Sequence, residues 1–596
     1  MLATLLLLSA AHATDFHACD CGPGAAASCV PGDDDAVGTD PDAPLQTFGA
    51  ARQAFADSLE AGDRLLLCQG GAFAADGGAW VNTRCSAASP CTVSAYPPTS
   101  GGAADPLILS DGLTAFDLGN DGDALSEEGY VFDSLDVRCE GCETTGGVGF
   151  LLFNDVDHVT LRDLSVTGFG IGVQVAGANP CLSADPGCDG QSSDLMVERV
   201  AVSGSSVVGF LGGSDRSRIL DSTFSENGTD SAFHHNVYVA GATGPTTDMV
   251  VRGNTLHRSS WQGTGSCQGG SLVVHGSHSD LSITDNLVME DPGEADAACW
   301  GIGVDAAYAE DERMERITIA RNTVIDMGNV GIGLSSCVDC IVENNVVSST
   351  QGYATTAILA PDRPLDEGDA SISGLTVRNN SIWLSAGGTG VSLPEQVDDH
   401  VVVSNAIAMG STGACFDGVT DPSSYAAFSH NVCDPVGGAW FTGVGTLGDW
   451  QATGLGEGSL AEPPGFADPS ASAWASITAD GPMVGAGHPD QSATDDLSGV
   501  LRDAEPDAGA AEWRGGADTG GGDGGTSGDG VGDGGSGDDG GSGSGAGTGA
   551  SWDPGTSAAA AAGERGGCGC SGGPVPAGLG ALGLAAVAAV RRRRQG

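Results

Sequence analysis

A six-residue pattern recurs along the middle of the chain and constrains the fold more than any other feature. In each copy an apolar residue is followed three positions later by asparagine, and a second apolar residue lies two positions beyond that asparagine. Degenerate copies occur upstream at residues 161–166, 197–202 and 219–224, and another surrounds Asn431. Repeats some 20 to 36 residues long with short apolar segments are typical of solenoids, in which each repeat forms one coil. The asparagines of the six regular copies are Asn254, Asn286, Asn322, Asn345, Asn380 and Asn405.

A second pattern lies between these copies and places apolar residues at alternate positions. Alternation with a period of two predicts short, half-buried strands. The two patterns together predict two or three strands per coil and about ten coils. Coils of this kind stack about 4.8 Å apart, so equivalent residues should form ladders along the axis. We expect the asparagine amides to turn inward at a bend, with a structural role. The apolar pairs are Val173/Val175, Val237/Val239, Leu272/Val274, Ile302/Val304, Ile332/Leu334 and Val391/Leu393.

Residues 33–513 resemble the right-handed parallel β-helix proteins of the pectate-lyase-like superfamily. The opening Gly38-Thr-Asp40-Pro-Asp42, the helical stretch 46–59 and the apolar run of residues 61–67 are similar to that family's N-terminal cap. Residues 463–466 and 506–512 are similar to the segments that end such domains. The resemblance implies an all-β, right-handed parallel β-helix solenoid with an N-terminal cap helix. It also implies polysaccharide lyase or glycoside hydrolase chemistry, with calcium as the one candidate cofactor.

The two ends of the chain differ in composition from the repeats. An apolar run that closes with Ala11-His12-Ala13 predicts a signal peptide over residues 1–13, and hence export. Residues 514–566, rich in Gly, Asp, Ser and Thr, have little to bury and predict a disordered linker. Between them we assign residues 14–130 to the cap and first coils, 131–435 to the central repeats and 436–513 to the C-terminal coils and cap.

The last 30 residues form a distinct tail. Residues 567–596 hold Cys568-Gly-Cys570, an uncharged segment over residues 574–590, and four arginines. This tail resembles the MYXO-CTERM sorting signals of myxobacteria. The resemblance implies a short hydrophobic helix that stops in the membrane, display at the cell surface or outer membrane, and Cys568 or Cys570 as the anchoring position.

Charge limits the classes of partner. The chain has 78 acidic residues against 22 basic ones, all of them arginine, and a net charge of −56. The lack of lysine excludes Schiff-base and P-loop chemistry. The negative charge argues against nucleic acid as a partner. An anionic polysaccharide could approach only at a local arginine or through a bridging calcium ion, whereas a neutral glycan meets no such barrier.

Cysteine usage predicts disulfides in an oxidising compartment. Sixteen of the 18 cysteines precede the tail, and several form close pairs. The alternative is a zinc centre that joins the Cys139-x-x-Cys142 and Cys337-x-x-Cys340 motifs, but neither has an adjacent histidine. The close pairs are Cys85/Cys91, Cys139/Cys142, Cys181/Cys188, Cys337/Cys340 and Cys415/Cys433.

Function on a solenoid lies on outward positions and in loops. If the apolar pairs point inward, then polar residues of four consecutive coils share one outer face. His275 and Asp305 fall at the same position of adjacent coils, where an imidazole could meet a carboxylate. The candidate catalytic residues are His275, Asp305, Tyr238 and His234. The candidate substrate-binding residues are Asn236, Arg258, Trp261, Trp300 and Ser335.

These groups suit proton abstraction beside a uronate carboxylate, or glycosidic hydrolysis. The two tryptophans could stack on sugars, and a Cys267–Cys299 disulfide would tie their loops together. We expect the nearby acidic residues, among them Asp311 and Glu312, to be solvated and not to bind metal.

Two hypotheses follow. The first is a monomeric, exported polysaccharide lyase, glycoside hydrolase or polysaccharide-binding protein. The second is a non-catalytic, adhesin-like or structural surface protein. A peptidase finds no support, because the sequence shows no Gly-x-Ser-x-Gly elbow on a strand-to-helix turn and no His-Glu-x-x-His helix.

Overall fold

Three long parallel sheets make up the structure, a computed structural model of the chain. It describes residues 13–97, 104–119, 127–142, 146–177, 190–229, 231–260, 267–296, 298–307, 311–364, 368–394, 399–467 and 477–514. Each regular coil contributes one strand to each sheet, and the paired strands within each sheet run parallel in the described residues. The predicted all-β parallel solenoid is therefore confirmed. The signal segment up to residue 12, the Cys181/Cys188 pair, Trp261, and Cys568 and Cys570 lie outside the described residues.

The first sheet carries the strands that precede the asparagine bends. It consists of Asp15–Ala18, Arg64–Cys68, Cys91–Tyr96, Glu127–Asp133, Val156–Arg162, Met196–Glu198, Arg218–Leu220, Val250–Arg252, Ser282–Thr284, Thr318–Ala320, Ile341–Glu343, Thr376–Arg378, His400–Val403 and Tyr425–Ser429.

The second sheet follows those bends. It consists of Ala72–Ala74, Leu107–Ser110, Asp136–Cys139, Ser165–Thr167, Ala201–Ser203, Thr223–Asn227, Thr255–Ser259, Leu287–Met289, Thr323–Ile325, Val346–Ser349, Ser381–Leu384, Ala406–Met409 and Val432–Asp434.

The third sheet contains the strands with alternating apolar residues. It consists of Phe116–Asp117, Val148–Phe153, Ile171–Ala176, Val208–Leu211, Val237–Thr247, Gly270–Ser279, Trp300–Val304, Val330–Leu334, Thr355–Leu359, Gly388–Leu393, Ala414–Gly418 and Ala439–Phe441, with Met314–Glu315 and Cys337–Val338 paired beside them.

Helices are few. Helix α1 spans Phe48–Asp57, within the stretch predicted to be helical, and the side chain of Thr47 accepts a hydrogen bond from the N–H of Ala50 at its start. Phe48 and Phe55 pack against Trp80. A 3₁₀ turn spans Pro422–Ser424, and helix α2 spans Leu447–Gln451. None of the helices in the described residues is long and apolar enough to cross a membrane.

The core is a stack of aliphatic side chains in strict register. Val239 pairs with Val274, Val274 with Val304, and Val304 with Leu334. All four side chains are at most 1% exposed. Burying each aliphatic side chain contributes about 1.5–3 kcal/mol. This column fixes which residues of successive coils lie side by side on the outside.

The predicted asparagine ladder is present at the bend between the first and second sheets. The main-chain N–H and the side-chain amide of Asn286 both donate to Oδ1 of Asn322, at 3.1 and 2.9 Å. The Asn322 amide donates in turn to Asn345, and the ladder runs on to Asn431. Residues just before the ladder, such as Arg321, adopt positive φ (55°), so each bend has the same tight geometry. The ladder is structural.

Disulfides join seven cysteine pairs among the described residues. Cys139–Cys142 and Cys337–Cys340 are both closed, so the zinc alternative is wrong: a thiolate pair is no longer available to hold a metal. The Cys267–Cys299 disulfide is also present. So many disulfides indicate an exported protein that folds in an oxidising compartment. The remaining pairs are Cys19–Cys68, Cys21–Cys29, Cys85–Cys91 and Cys415–Cys433.

Candidate functional site

Polar side chains align on the outer face of the third sheet, as the register predicts. His275 pairs with Ala240 of the preceding coil. Asp305 lies one residue beyond Val304, and its N–H donates to the Val274 carbonyl. Ser335 lies at the equivalent position of the next coil, and its N–H donates a hydrogen bond to the Val304 carbonyl. The three residues therefore occupy one column, spaced about 4.8 Å apart.

The imidazole of His275 is fixed by its neighbour in the column. Its Nδ1 lies 2.6 Å from the main-chain carbonyl of Asp305. A carbonyl only accepts, so Nδ1 carries the proton and Nε2 carries the lone pair. Burial lowers the pKa of His275 to about 4, and the ring is neutral near pH 7. The expectation that the His275 imidazole contacts the Asp305 carboxylate is wrong, because the ring bonds the main-chain carbonyl of Asp305.

The carboxyl group of Asp305 has different partners. It accepts a hydrogen bond from the hydroxyl of Ser335. Burial raises the pKa of Asp305, while Ser335 and the nearby charge of Arg363 partly oppose that shift. Ser335 is only 3% exposed, so it positions Asp305 and is not an open substrate-binding group as predicted.

Arg363 was missed by sequence reasoning. It lies in the loop that follows the strand Thr355–Leu359, and not at an outward strand position beside Asp305. Its main-chain N–H donates to the hydroxyl of Ser336, which holds the loop against the coil that carries Ser335. The one feature of the sequence that could have indicated Arg363 is its position four residues after a strand of the outer face.

Tyr238 lies between two histidines. Its ring is 5.4 Å from that of His275 and 5.5 Å from that of His235, edge-on in both cases. His235 is 7% exposed and bonds the Gly270 carbonyl through Nδ1. His234 is half-buried in the turn before this strand, and its catalytic role stays a prediction.

Buried histidines in this region are held neutral. Burial lowers the pKa of His235 to about 3 and that of His278 to about 4. His278 lies 2.5 Å from the hydroxyl of Thr246 and 2.9 Å from the His275 carbonyl. These rings are therefore hydrogen-bonding groups that support the strands Val237–Thr247 and Gly270–Ser279.

Asn236 does not lie on the outer face, and its predicted role in substrate binding is wrong. Its side chain is completely buried, and its Oδ1 accepts a hydrogen bond from the amide of Asn227 at 2.9 Å. The strand begins only at Val237, so the alternation that places Tyr238 outside does not extend back to residue 236.

Trp300 is not displayed as a stacking platform. It is 8% exposed, and its ring lies beside Gly303 and over Gly333, where a side chain would collide with it. The indole thus fills space that the two glycines leave on the outer face. The expectation of an exposed Trp300 is wrong because glycine on adjacent strands lets the ring pack flat.

Arg258 lies at the second sheet, at the end of Thr255–Ser259, and not among the third-sheet residues. Its guanidinium pairs with Glu226 at 2.6 Å and with Asp291 at 2.8 Å, on the coils before and after. Similar pairs link coils elsewhere, as between Arg316 and Asp280. These contacts tie coils together, and the substrate-binding role of Arg258 stays a prediction.

Glu312 was expected to be solvated, and this expectation is also wrong. The side chain is 3% exposed, and its carboxylate accepts hydrogen bonds from the main-chain N–H groups of Gly276 and Ala307. A buried carboxylate with two main-chain donors is satisfied, so Glu312 fixes its loop against the strand that carries His275.

Neither group of close metal ligands among the described residues suits calcium, and a role for calcium stays a prediction. The only groups of three close metal ligands in this part of the chain are Cys19/Cys29/Cys68 and Cys267/Glu290/Cys299. The cysteines of both groups are in disulfides. Calcium prefers six to eight oxygen ligands, which neither group supplies. The chemistry of the site is therefore derived without a metal ion.

Comparison with known proteins identifies no family. No family model matches the chain, and no curated protein matches it. Solved structures similar to it include the Dettilon tailspike protein (14% identity, 69% of this chain and 70% of that one, TM-score 0.44). Others are the pectate lyase Pel9A (12%, 84% and 97%, TM-score 0.36) and the A-module of the mannuronan C-5 epimerase AlgE6 of Azotobacter vinelandii (13%, 68% and 91%, TM-score 0.35). All three TM-scores are below 0.5, so function has to be argued from the residues of this chain.

Proposed function

We propose that this protein is carbohydrate-active and binds a polysaccharide along the outer face of the third sheet. One observation carries the proposal: His275, Asp305 and Ser335 occupy one column, with the ring of Tyr238 against His275 and the charge of Arg363 near Asp305. A row of such groups on adjacent coils suits a polymer that lies along the axis, because each coil can contact the next part of the chain.

The two central groups suit opposite roles in proton transfer. His275 is neutral, and with the proton on Nδ1 its ring can take a second proton at Nε2. Burial raises the pKa of Asp305, so its carboxyl group keeps a proton to higher pH than an exposed aspartate does, and a protonated carboxyl group can give one. Groups whose environments assign them opposite proton roles are typical of an acid and a base in one site.

Arg363 favours a uronate-containing polymer and an elimination reaction. Its guanidinium can neutralise a sugar carboxylate, which makes the neighbouring C–H more acidic. His275 then takes that proton, a C=C bond forms, the glycosidic C–O bond breaks, and Asp305 protonates the leaving oxygen. The reaction is a polysaccharide lyase reaction, and it balances without any co-reactant.

Hydrolysis has weaker support in this geometry. A glycosidase normally needs two carboxyl groups about 5–9.5 Å apart on either side of the scissile bond. Glu312, which contacts the strand of His275, is bound by two main-chain N–H groups. It is therefore occupied in holding the loop.

A non-catalytic, adhesin-like role is the second candidate. It is favoured by the hydrogen bond that directs the Asp305 carboxylate to Ser335 instead of to His275. A histidine with a pKa of about 4 is also a weak base. The same face could then hold a polysaccharide through hydrogen bonds alone.

The setting of the protein is part of the proposal. Export is supported by the disulfides, whereas display at the outer membrane through Cys568 or Cys570 rests on the sequence motif of the tail. A right-handed helix closed at its first coil by α1, and a monomeric state, complete the proposal.

A substrate screen tests it. Purified protein is incubated with uronate polymers and, separately, with neutral glycans, and both unsaturated products and new reducing ends are measured. Unsaturated products from a uronate polymer support the lyase. Binding without products supports the second candidate, and neither binding nor products contradicts both.

A further inference from the structure

A separate cleft of about 190 Å³ lies on the outer face of the second sheet, near its C-terminal end. Trp383, Ala408 and Asp434 pair in register on three successive strands and form its floor. Ile382, the neighbour of Trp383 on its strand, is buried in the core. Successive side chains of a strand point to opposite faces, so Trp383, Ala408 and Asp434 point away from the core. The segment Pro463–Phe466 forms the opposite wall. We call this the second-sheet cleft.

The wall of the cleft is held in place by packing and hydrogen bonds. Phe466 packs against an apolar cluster that includes Ala406, Val432 and Met483. The N–H of Thr478 donates to the Gly465 carbonyl at 3.2 Å. The cleft is thus formed by two parts of the chain that are fixed against each other, as in a preformed binding site.

The acidic group at the cleft points to a specific ligand chemistry. Asp434 is half-exposed, and one of its oxygens accepts from the N–H of Val436, which leaves it further capacity to accept hydrogen bonds.

The apolar groups at the cleft narrow the class of ligand that it could bind. Trp383, Met409, Phe466 and two prolines offer apolar surface beside one acidic acceptor, Asp434. A sugar ring has an apolar C–H face that packs on aromatic rings and hydroxyls that donate to a carboxylate. The charge of Asp434 and the net charge of −56 disfavour an anionic sugar.

We propose that the second-sheet cleft binds a neutral sugar unit of a polysaccharide. The indole of Trp383 packs on the sugar, and Asp434 accepts hydrogen bonds from the sugar hydroxyls. This site lies on a different sheet from His275 and does not depend on the chemistry there. It would hold a glycan to the protein whether or not the third-sheet face is catalytic.

Binding of neutral oligosaccharides to the full chain tests this proposal. Calorimetric titrations use tetrasaccharides of glucose, xylose and mannose as probes. At least one should bind. Trp383→Ala should weaken its binding by about tenfold or more, Trp383→Phe by a smaller factor because the ring remains, and Asp434→Asn also measurably. Trp513→Phe, a tryptophan outside the cleft, should leave the affinity unchanged.

The controls separate the two sites. His275→Asn should leave this binding unchanged, whereas it should lower any lyase activity by about 10²–10⁴. Circular dichroism checks that the Trp383 variants are folded, and Trp383→Phe keeps the test valid if Trp383→Ala is not. The proposal is overturned if none of the three probes binds, if binding ignores Trp383 and Asp434, or if only an apolar peptide occupies the cleft.

Discussion

Nδ1 of His275 lies 2.6 Å from the main-chain oxygen of Asp305, so a side chain of one coil is fixed by the backbone of the next. The bond sets both the tautomer and the orientation of the ring. The Asp305 carboxyl group does not bond this ring and instead accepts a hydrogen bond from the Ser335 hydroxyl. Two neighbouring residues in one column can therefore take different roles, a proton acceptor and a proton donor.

Arg363→Gln should weaken binding of a uronate oligosaccharide by about tenfold and leave a neutral one unaffected, because the variant removes the cation near Asp305. Loss of that charge should also raise the pKa of Asp305 further, so the alkaline limb of any pH–rate profile moves to higher pH. Titration calorimetry and initial rates against pH measure both effects. Arg313→Gln, an exposed arginine paired with Glu315, is the matched control. Equal losses for the two sugars would contradict the role given to Arg363.

Acid should destabilise the fold before the ion pairs titrate. His235, His275 and His278 have folded pKa values of about 3, 4 and 4, below the ordinary value of 6.5. Their stabilisation is complete above pH 6.5, and it falls as the pH drops from 6.5 toward 4, because the unfolded chain binds more protons there. Each histidine should contribute about 1.4 kcal/mol per pH unit.

Urea unfolding between about pH 6 and pH 4.5 measures this slope. The window lies above the range in which an ion-paired carboxylate such as Asp280, whose pKa is lowered by Arg316, loses its stabilisation. His278→Gln should reduce the slope by the share of one histidine. A slope unchanged by that variant would mean that His278 titrates normally in the folded state.

Asn322→Ala should cost about 2–4 kcal/mol of unfolding free energy. The amide donates to the Ile283 carbonyl and to Asn345, and its oxygen accepts from Asn286, so its loss leaves several buried groups unsatisfied. Denaturant unfolding measures the change, and Thr323→Ala, at the adjacent half-buried position, is the control. Similar losses for the two variants would argue against the ladder as a source of stability.

Replacing both Cys267 and Cys299 by alanine should destabilise the protein by about 3–4 kcal/mol. The disulfide closes a loop across 32 positions, and this range is what chain entropy predicts for a loop of that length. Thermal unfolding with and without reductant measures it. If the double variant unfolds like the parent, the bridge does not restrict the unfolded chain as assumed.

The sequence was sufficient for the fold because one bend is repeated in coil after coil. Asn286 and Asn322 bond each other because equal positions stack, and the same rule aligns Val274 with Val304. Local alternation was therefore enough to predict the register of the outer face, including His275.

The details of the site were less predictable because they depend on where strands end and on segments far apart in sequence. Asn236 is buried since its strand begins one residue later. The charge of Arg363, which lowers the pKa of Asp305, lies on a loop, and the Trp300 ring packs against Gly333. The second-sheet cleft requires Phe466 opposite Trp383, an arrangement that no local pattern indicates.

The most direct measurement compares the parent protein with His275→Asn on uronate polymers. Asparagine keeps a donor for the Asp305 carbonyl and lacks the basic Nε2, so the fold should persist while the rate of unsaturated-product formation falls by about 10²–10⁴. Polymer binding should be little changed. Equal rates for the two proteins would contradict the assignment of His275 as the base, and no product and no binding from the parent itself would contradict the proposed polysaccharide site.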